Sequence, residues 1–208
     1  MNVPFFPNTG DGTHCWQAAL KMALAFFEPE QEFSYAELDK ISGKIPGKWT
    51  WPTTGILWFL DRGYEVILKS DFDYTEFAKR GDKYLQDRCG PEVAAAQIAN
   101  SIVSLELTAA KKMAAAEIAD RDLPTLADLQ KYLADGYVII CNINAATLHW
   151  LSGYSGHFVV VTEVTDTMVT IHDPGLPPKP NFQVSVSSFE AAWAYPEARD
   201  KNVLAIRK

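Results

Sequence analysis

Cysteine is scarce in this chain, and what there is does not pair. Cys15, Cys89 and Cys141 are odd in number and widely spaced, which argues against a disulfide-stapled scaffold. No Cys-x-x-Cys and no histidines at ligand spacing occur, so no metal site is expected. The glycine-rich phosphate loops Gly-x-Gly-x-x-Gly and Gly-x-x-x-x-Gly-Lys-Ser/Thr are missing, and with them the signature of nucleotide chemistry. No apolar run approaches the ~20 residues of a membrane-crossing helix. The opening Met1-Asn2-Val3-Pro4-Phe5-Phe6 lacks a basic region followed by an apolar one. A cytoplasmic protein without membrane insertion is the expectation. Lysine and arginine form no run, and the net charge is -7. That charge argues against nucleic acid or an anionic membrane as the main partner. Repeats and low-complexity tracts are also absent.

What the chain does have is apolar mass. Its 208 residues are 48% hydrophobic and 12% aromatic, enough to bury the core of one domain, or of one domain with an insertion. The spacing of Leu20, Leu24 and Phe27 predicts a helix over about 15–27. Ser34-Tyr35-Ala36-Glu37 is a capping box that opens a second helix toward Ile41. A Gly-, Pro- and Trp-rich loop over 43–52 precedes a helix over 54–61, and a strand is expected over 64–68. From Asp73 to Ala119 the pattern is helical, interrupted at Gly90-Pro91. Thr125 caps a further helix that ends at Gly136. The last third reads as strands over 137–143, 158–164, 168–172, 182–186 and 203–206. Helices followed by an antiparallel sheet predict an α+β fold.

Cys15 sits where a flexible, Gly-rich loop enters the first helix. There the helix dipole and free backbone N–H groups stabilise an anion, which lowers a thiol from ~8.5 toward the reactive thiolate. Such a nucleophile needs a base. His14 adjoins it in sequence, but neighbouring side chains point apart, and His172 ends a strand. His157 follows the flexible stretch Ser152-Gly153-Tyr154-Ser155-Gly156 and opens a strand, which projects an imidazole into a cleft while holding it rigidly. The hairpin turning near Asp166 returns to Asp173, so His157 and Asp173 become neighbours. A carboxylate there fixes the imidazole tautomer and supports its charge.

These residues carry a resemblance. "NVPFFPN", "CWQAALKMAL", "GHFVVVTEVTDTMVTIHDP" and "SSFEAAW" resemble four elements of the papain-like cysteine peptidases of the bacteriocin-processing type, which cleave after double-glycine leaders. "LADLQKYLADGYVIICNI" is similar to the helix and strand before that family's histidine loop. The resemblance covers both ends of the chain. It implies a papain-like fold in a single domain, 1–208, with a helical insertion at about 73–122. It also implies a triad of Cys15, His157 and Asp173. The family's oxyanion-donating Gln is replaced by Asn8, one methylene shorter, and its Cys-Gly-Pro by Cys15-Trp16-Gln17. Cys89-Gly90-Pro91 spells that tripeptide but lies within the insertion, without the Val-Pro-aromatic lead-in. Cys141, in an apolar strand, reads as core.

The expected activity is cysteine-peptidase-like hydrolysis of a peptide or other amide bond through a thioester, on a peptide or protein substrate, with no cofactor. The same constellation also suits acyl transfer to an amine or thiol. A catalytically silent peptide- or partner-binding module is the remaining alternative. Trp16, Trp150, Tyr154 and Gly156 are the candidate substrate-binding residues, and Trp49, Trp51 and Trp58 are further aromatic candidates for the cleft.

Overall fold

The apolar run over 138–144 alternates between two cores. The computed structural model describes all residues, Met1–Lys208. In it, Val138 and Ile140 join one cluster of buried side chains, while Ile139, Cys141 and Ile143 join another. A strand buried on both faces has no polar side, which is why the run reads as continuously apolar.

The strands are β1 (Glu65–Ser70), β2 (Ala119–Asp120), β3 (Val138–Asn144), β4 (Gly156–Val164), β5 (Met168–Asp173), β6 (Lys179–Ser185) and β7 (Asn202–Arg207). They form one seven-stranded sheet in the order β2-β1-β7-β3-β4-β5-β6. The architecture is α+β. The sheet is mixed rather than wholly antiparallel, because β2 pairs parallel with β1 while every other pair is antiparallel. A two-residue edge strand has no readable period, so no sequence signal marks it.

One face of the sheet carries α1 (Cys15–Phe27), α2 (Tyr35–Ser42) and α3 (Thr53–Asp61). α1 has the bounds its spacing predicts, and it buries Leu20, Met22 and Leu24 completely. The α2 capping box forms: Ser34 Oγ accepts from Glu37 N–H and the Glu37 carboxylate accepts from Ser34 N–H. The predicted helical stretch becomes α4 (Tyr74–Arg80), α5 (Asp82–Asn100) and α6 (Val103–Ala116). Gly90, at φ 75°, breaks α5 next to Pro91. Tyr74, Phe77, Leu85, Ala110 and Met113 from this segment share the α1 core. The opposite face is covered by α7 (Leu126–Ala134) and α9 (Val186–Trp193), with Phe189 and Trp193 fully buried. A four-residue turn of helix, α8 (Ala145–Leu148), leaves β3 toward the loop before β4. No single helix is long and apolar enough to cross a membrane.

Candidate active site

Cys15 is the first residue of α1, with His14 as an N-cap that makes no side-chain capping bond. Its thiol is half-buried. Burial pushes the thiol up, but the hydrogen bond and charge of His157, helped by the N–H groups of Phe158 and Trp16, outweigh it and hold Cys15 below the ordinary thiol value.

His157 is nearly buried, and its Nε2 lies 2.7 Å from Asp173 Oδ1. Nδ1 is therefore the ring nitrogen left for Cys15. Burial alone would lower the imidazole. Its hydrogen bonds to Asp173 and Cys15 reverse that and hold it above its ordinary value. Asp173 is 1% exposed and also accepts from Gly175 N–H at 2.8 Å. Burial pushes this carboxyl up, and His157, the Gly175 N–H and His149 together bring it below its usual range. Thiol and imidazole thus shift in opposite directions, each because of the other, with the carboxylate behind the imidazole.

A β-bulge puts the two dyad residues on one face. The β4–β5 ladder pairs Glu163 with Thr170 but Val161 with Ile171, leaving Thr162 as the extra residue, and Val160 then faces His172. Extending that ladder sets residue 175 opposite His157, so Asp173 is its diagonal neighbour on the same face, within reach of a long side chain. Without the bulge Val160 would face Asp173, and His157 and Asp173 would project to opposite sides of the sheet. Deleting Thr162 should therefore break the His157–Asp173 bond. An NMR titration of His157 that returns to the ordinary histidine range, ~6.5, would register the break.

Gly175 is a site residue that the sequence reading missed. A Cβ built there would lie 2.9 Å from Asp173 Oδ1 and 3.4 Å from His157 Nε2. Gly175→Ala must displace the carboxylate. Because misplacement of about 1 Å costs on the order of 10²-fold, kcat should fall by about that factor with little change in thermal stability. A second histidine, His149, sets its Nε2 3.4 Å from the other Asp173 oxygen. It lies at the end of α8, an element with no sequence signal. Asn144 was also missed. Its Oδ1 accepts from Ala146 and Ser155 N–H, and its Nδ2 donates to Thr147 Oγ1 and the Gly153 carbonyl. It thereby fixes the loop that delivers His157. An Asn at the end of an apolar strand, before a loop that holds Gly153 and Gly156, is the clue that was available.

Asn8 is 8% exposed. Its Oδ1 accepts from Thr9 N–H at 2.9 Å and His14 N–H at 2.7 Å, and its own N–H donates to the Pro174 carbonyl at 2.8 Å. Two backbone donors on Oδ1 fix the amide orientation, and Nδ2 makes no hydrogen bond within the chain. Asn8 thus ties the Cys15 loop to the Asp173-Pro174 turn and keeps a free donor. Gln17 has no such freedom: it is fully buried and its Nε2 donates to Ser42 Oγ. His14 turns away from the thiol, with Nε2 3.3 Å from Asp39. His172 Nδ1 accepts from Asn181 N–H while Nε2 donates to the Val3 carbonyl, a structural role.

Trp16, Tyr154 and Gly156 line a cleft that also reaches Cys15, as do Trp49 and Trp51. Trp16 packs against Phe158. Gly156 has no space for a side chain, since a Cβ would lie 2.8 Å from Tyr154 Oη. Trp150 corrects its expectation. It follows α8 with φ 56° and is 86% exposed, and it lines no part of the cleft. The N–H groups of Trp150 and Leu151 close back onto Thr147 and Ala146, which turns the ring into solvent. Trp58 packs on Phe33 and Phe59 instead. Cys89 lies in the cleft wall, but burial raises its thiol and no histidine attends it. Cys141 is fully buried and raised further.

No family model matches the chain, and no curated protein matches it.

Proposed function

We propose that the chain is a papain-like cysteine hydrolase that cleaves a peptide or other amide bond. The observation that carries this reading is the 2.7 Å contact from His157 Nε2 to Asp173 Oδ1, on a histidine whose proximity lowers a helix-terminal thiol. The sequence resemblance to the bacteriocin-processing peptidases, which includes these same residues, agrees with it.

The proposed chemistry uses these groups in turn. The Cys15 thiolate attacks the carbonyl carbon, forming a C–S bond and moving the carbonyl π pair onto oxygen. Asn8 Nδ2 and the Cys15 N–H donate to that oxyanion, where one donor is worth ~3 kcal/mol. His157 Nδ1 gives its proton to the amide nitrogen, the C–N bond breaks, and the amine leaves. Neutral His157 then takes a proton from water. The resulting hydroxide attacks the thioester carbonyl, and collapse breaks the C–S bond to release the acid and restore the thiolate.

Cys15 alkylation by iodoacetamide tests the pair. The wild-type rate should rise with pH well below ~8.5, because the thiol is held down, and His157→Ala should move that rise to or above ~8.5. Hydrolysis should follow a bell. Its acid limb marks proton uptake by the pair. Its alkaline limb, where the imidazolium is lost, should lie above the ordinary ~6.5 of histidine. An alkylation profile that is the same in both proteins would remove the enzyme and leave a binding module.

A further inference from the structure

The thiol opens onto a cavity of about 520 Å³, within the size range of pockets that enclose small ligands. The sheet supplies its floor through Leu68, Ile140, Phe158 and Leu204, and α5 supplies its roof through Leu85, Val93 and Gln97. Cys15 and Trp16 border it, whereas His157, Asp173 and Asn8 do not.

That asymmetry assigns the cavity to one half of a substrate. A tetrahedral carbon on Cys15 Sγ bears an oxygen, a nitrogen and the acyl substituent. The oxygen has to meet Asn8 and the Cys15 N–H. The nitrogen has to meet His157, which protonates it. The acyl substituent takes the remaining direction, and the cavity is the space that leaves Cys15 away from both.

The cavity is bridged over. Gln97 Nε2 donates to Tyr154 Oη at 3.4 Å, and the Trp49 ring meets Tyr154 edge-on at 6.3 Å. Trp49 N–H also donates to the Asn100 carbonyl at the end of α5. The α2–α3 loop, α5 and the histidine loop thus join above part of it, which narrows the path open to an extended polypeptide on this side of the thiol. One side chain inside has no hydrogen-bond partner in the chain: the Asn142 amide, which shares the cavity face of β3 with Ile140. An apolar patch of Leu68, Ile140, Phe158 and Leu204 beside the free Asn142 amide suits an acyl chain with an apolar end and one internal amide.

Building on the hydrolase reading, we infer that the helical insertion roofs part of the cleft and makes of it an acyl pocket. The substrates are short amides whose acyl half ends inside the protein: an apolar or aromatic acyl group carried on a single amide unit, rather than an internal bond of an extended polypeptide.

Three 7-amino-4-methylcoumarin amides test this: acetylglycyl, 3-phenylpropanoylglycyl and an N-terminally extended hexapeptidyl ending in glycine. The 3-phenylpropanoylglycyl amide should exceed the acetylglycyl amide at least tenfold in kcat/KM, and the hexapeptidyl amide should fall below both. Val93→Trp or Cys89→Phe, each filling the cavity, should erase that preference while leaving iodoacetamide alkylation of Cys15 unchanged. Circular dichroism checks that at least one variant is folded. Equal rates on the three amides, or an unchanged preference in a folded filled variant, would overturn the pocket while the hydrolase stands. If instead no amide turns over and alkylation ignores His157, the hydrolase falls, and calorimetric titration of Cys15→Ala with 3-phenylpropanoylglycinamide decides the pocket alone. Saturable binding abolished by Val93→Trp supports it, and no binding overturns it.

Discussion

Asp173→Asn should keep its fold and lose about 10³–10⁴-fold in kcat, the scale on which a triad carboxylate acts. The argument is local. The carboxylate is 1% exposed, and its Oδ1 is shared between His157 Nε2 at 2.7 Å and Gly175 N–H at 2.8 Å. An amide in its place has two orientations, and both fail. If its oxygen stays on Nε2–H, the tautomer survives but a dipole replaces the charge that holds the imidazolium. If its NH₂ turns to Nε2, that nitrogen becomes an acceptor, the proton moves to Nδ1, and neutral His157 can no longer take a proton from the thiol or from water. In either case the alkaline limb of the rate profile should move down toward the ordinary histidine value, because the raised imidazole depends on this carboxylate. Turnover of the 3-phenylpropanoylglycyl amide, read beside Cys15 alkylation, checks it. A variant within threefold of wild type at neutral pH would show that the carboxylate does not orient the base.

The elements that were legible in sequence were those whose signals are local. α1 announces itself by its period, α2 by reciprocal capping, and β3 by an apolar run bounded by Gly136 and Asn144. Asp173 was placed beside His157 by treating the hairpin arms as equal. The contact exists, but it is a diagonal one made possible by the extra residue Thr162. A bulge changes the face of every later residue, and no residue type marks this one. Trp150 failed for a related reason: composition shows an aromatic residue in a loop, whereas the side it faces depends on how the short α8 closes. Gly175 and Asn144 act by excluding a Cβ and by filling hydrogen bonds around a loop. Neither function has a sequence period.

Asp200→Ala should be the most destabilising polar substitution, by about 3–5 kcal/mol in urea unfolding at neutral pH. Arg88, on α5, is 9% exposed and donates from one NH₂ group to Asp200 Oδ1 at 2.7 Å and from the other to the Arg199 carbonyl at 2.8 Å. The pair joins the insertion to the segment that leads into β7, across the far wall of the cavity. Removing the carboxylate leaves a buried guanidinium that cannot shed its charge and that faces only the more distant Asp71, 3.6 Å from its Nε. The reverse deletion differs in its pH dependence. Burial already holds the Asp200 carboxyl above its ordinary value, with Arg88 opposing, so in Arg88→Ala it rises further. A carboxyl raised in the folded state costs stability above its folded value and is relieved as pH falls and it takes up a proton. The Arg88→Ala deficit should therefore shrink on acidification, whereas the Asp200→Ala deficit should not respond to titration at this site. Arg88→Met with Asp200→Leu should recover most of the loss, because a matched apolar pair leaves no charge stranded. Single variants that each cost under about 1 kcal/mol would mean that solvent reaches this pair and that the roof of the cavity is held by its apolar contacts alone.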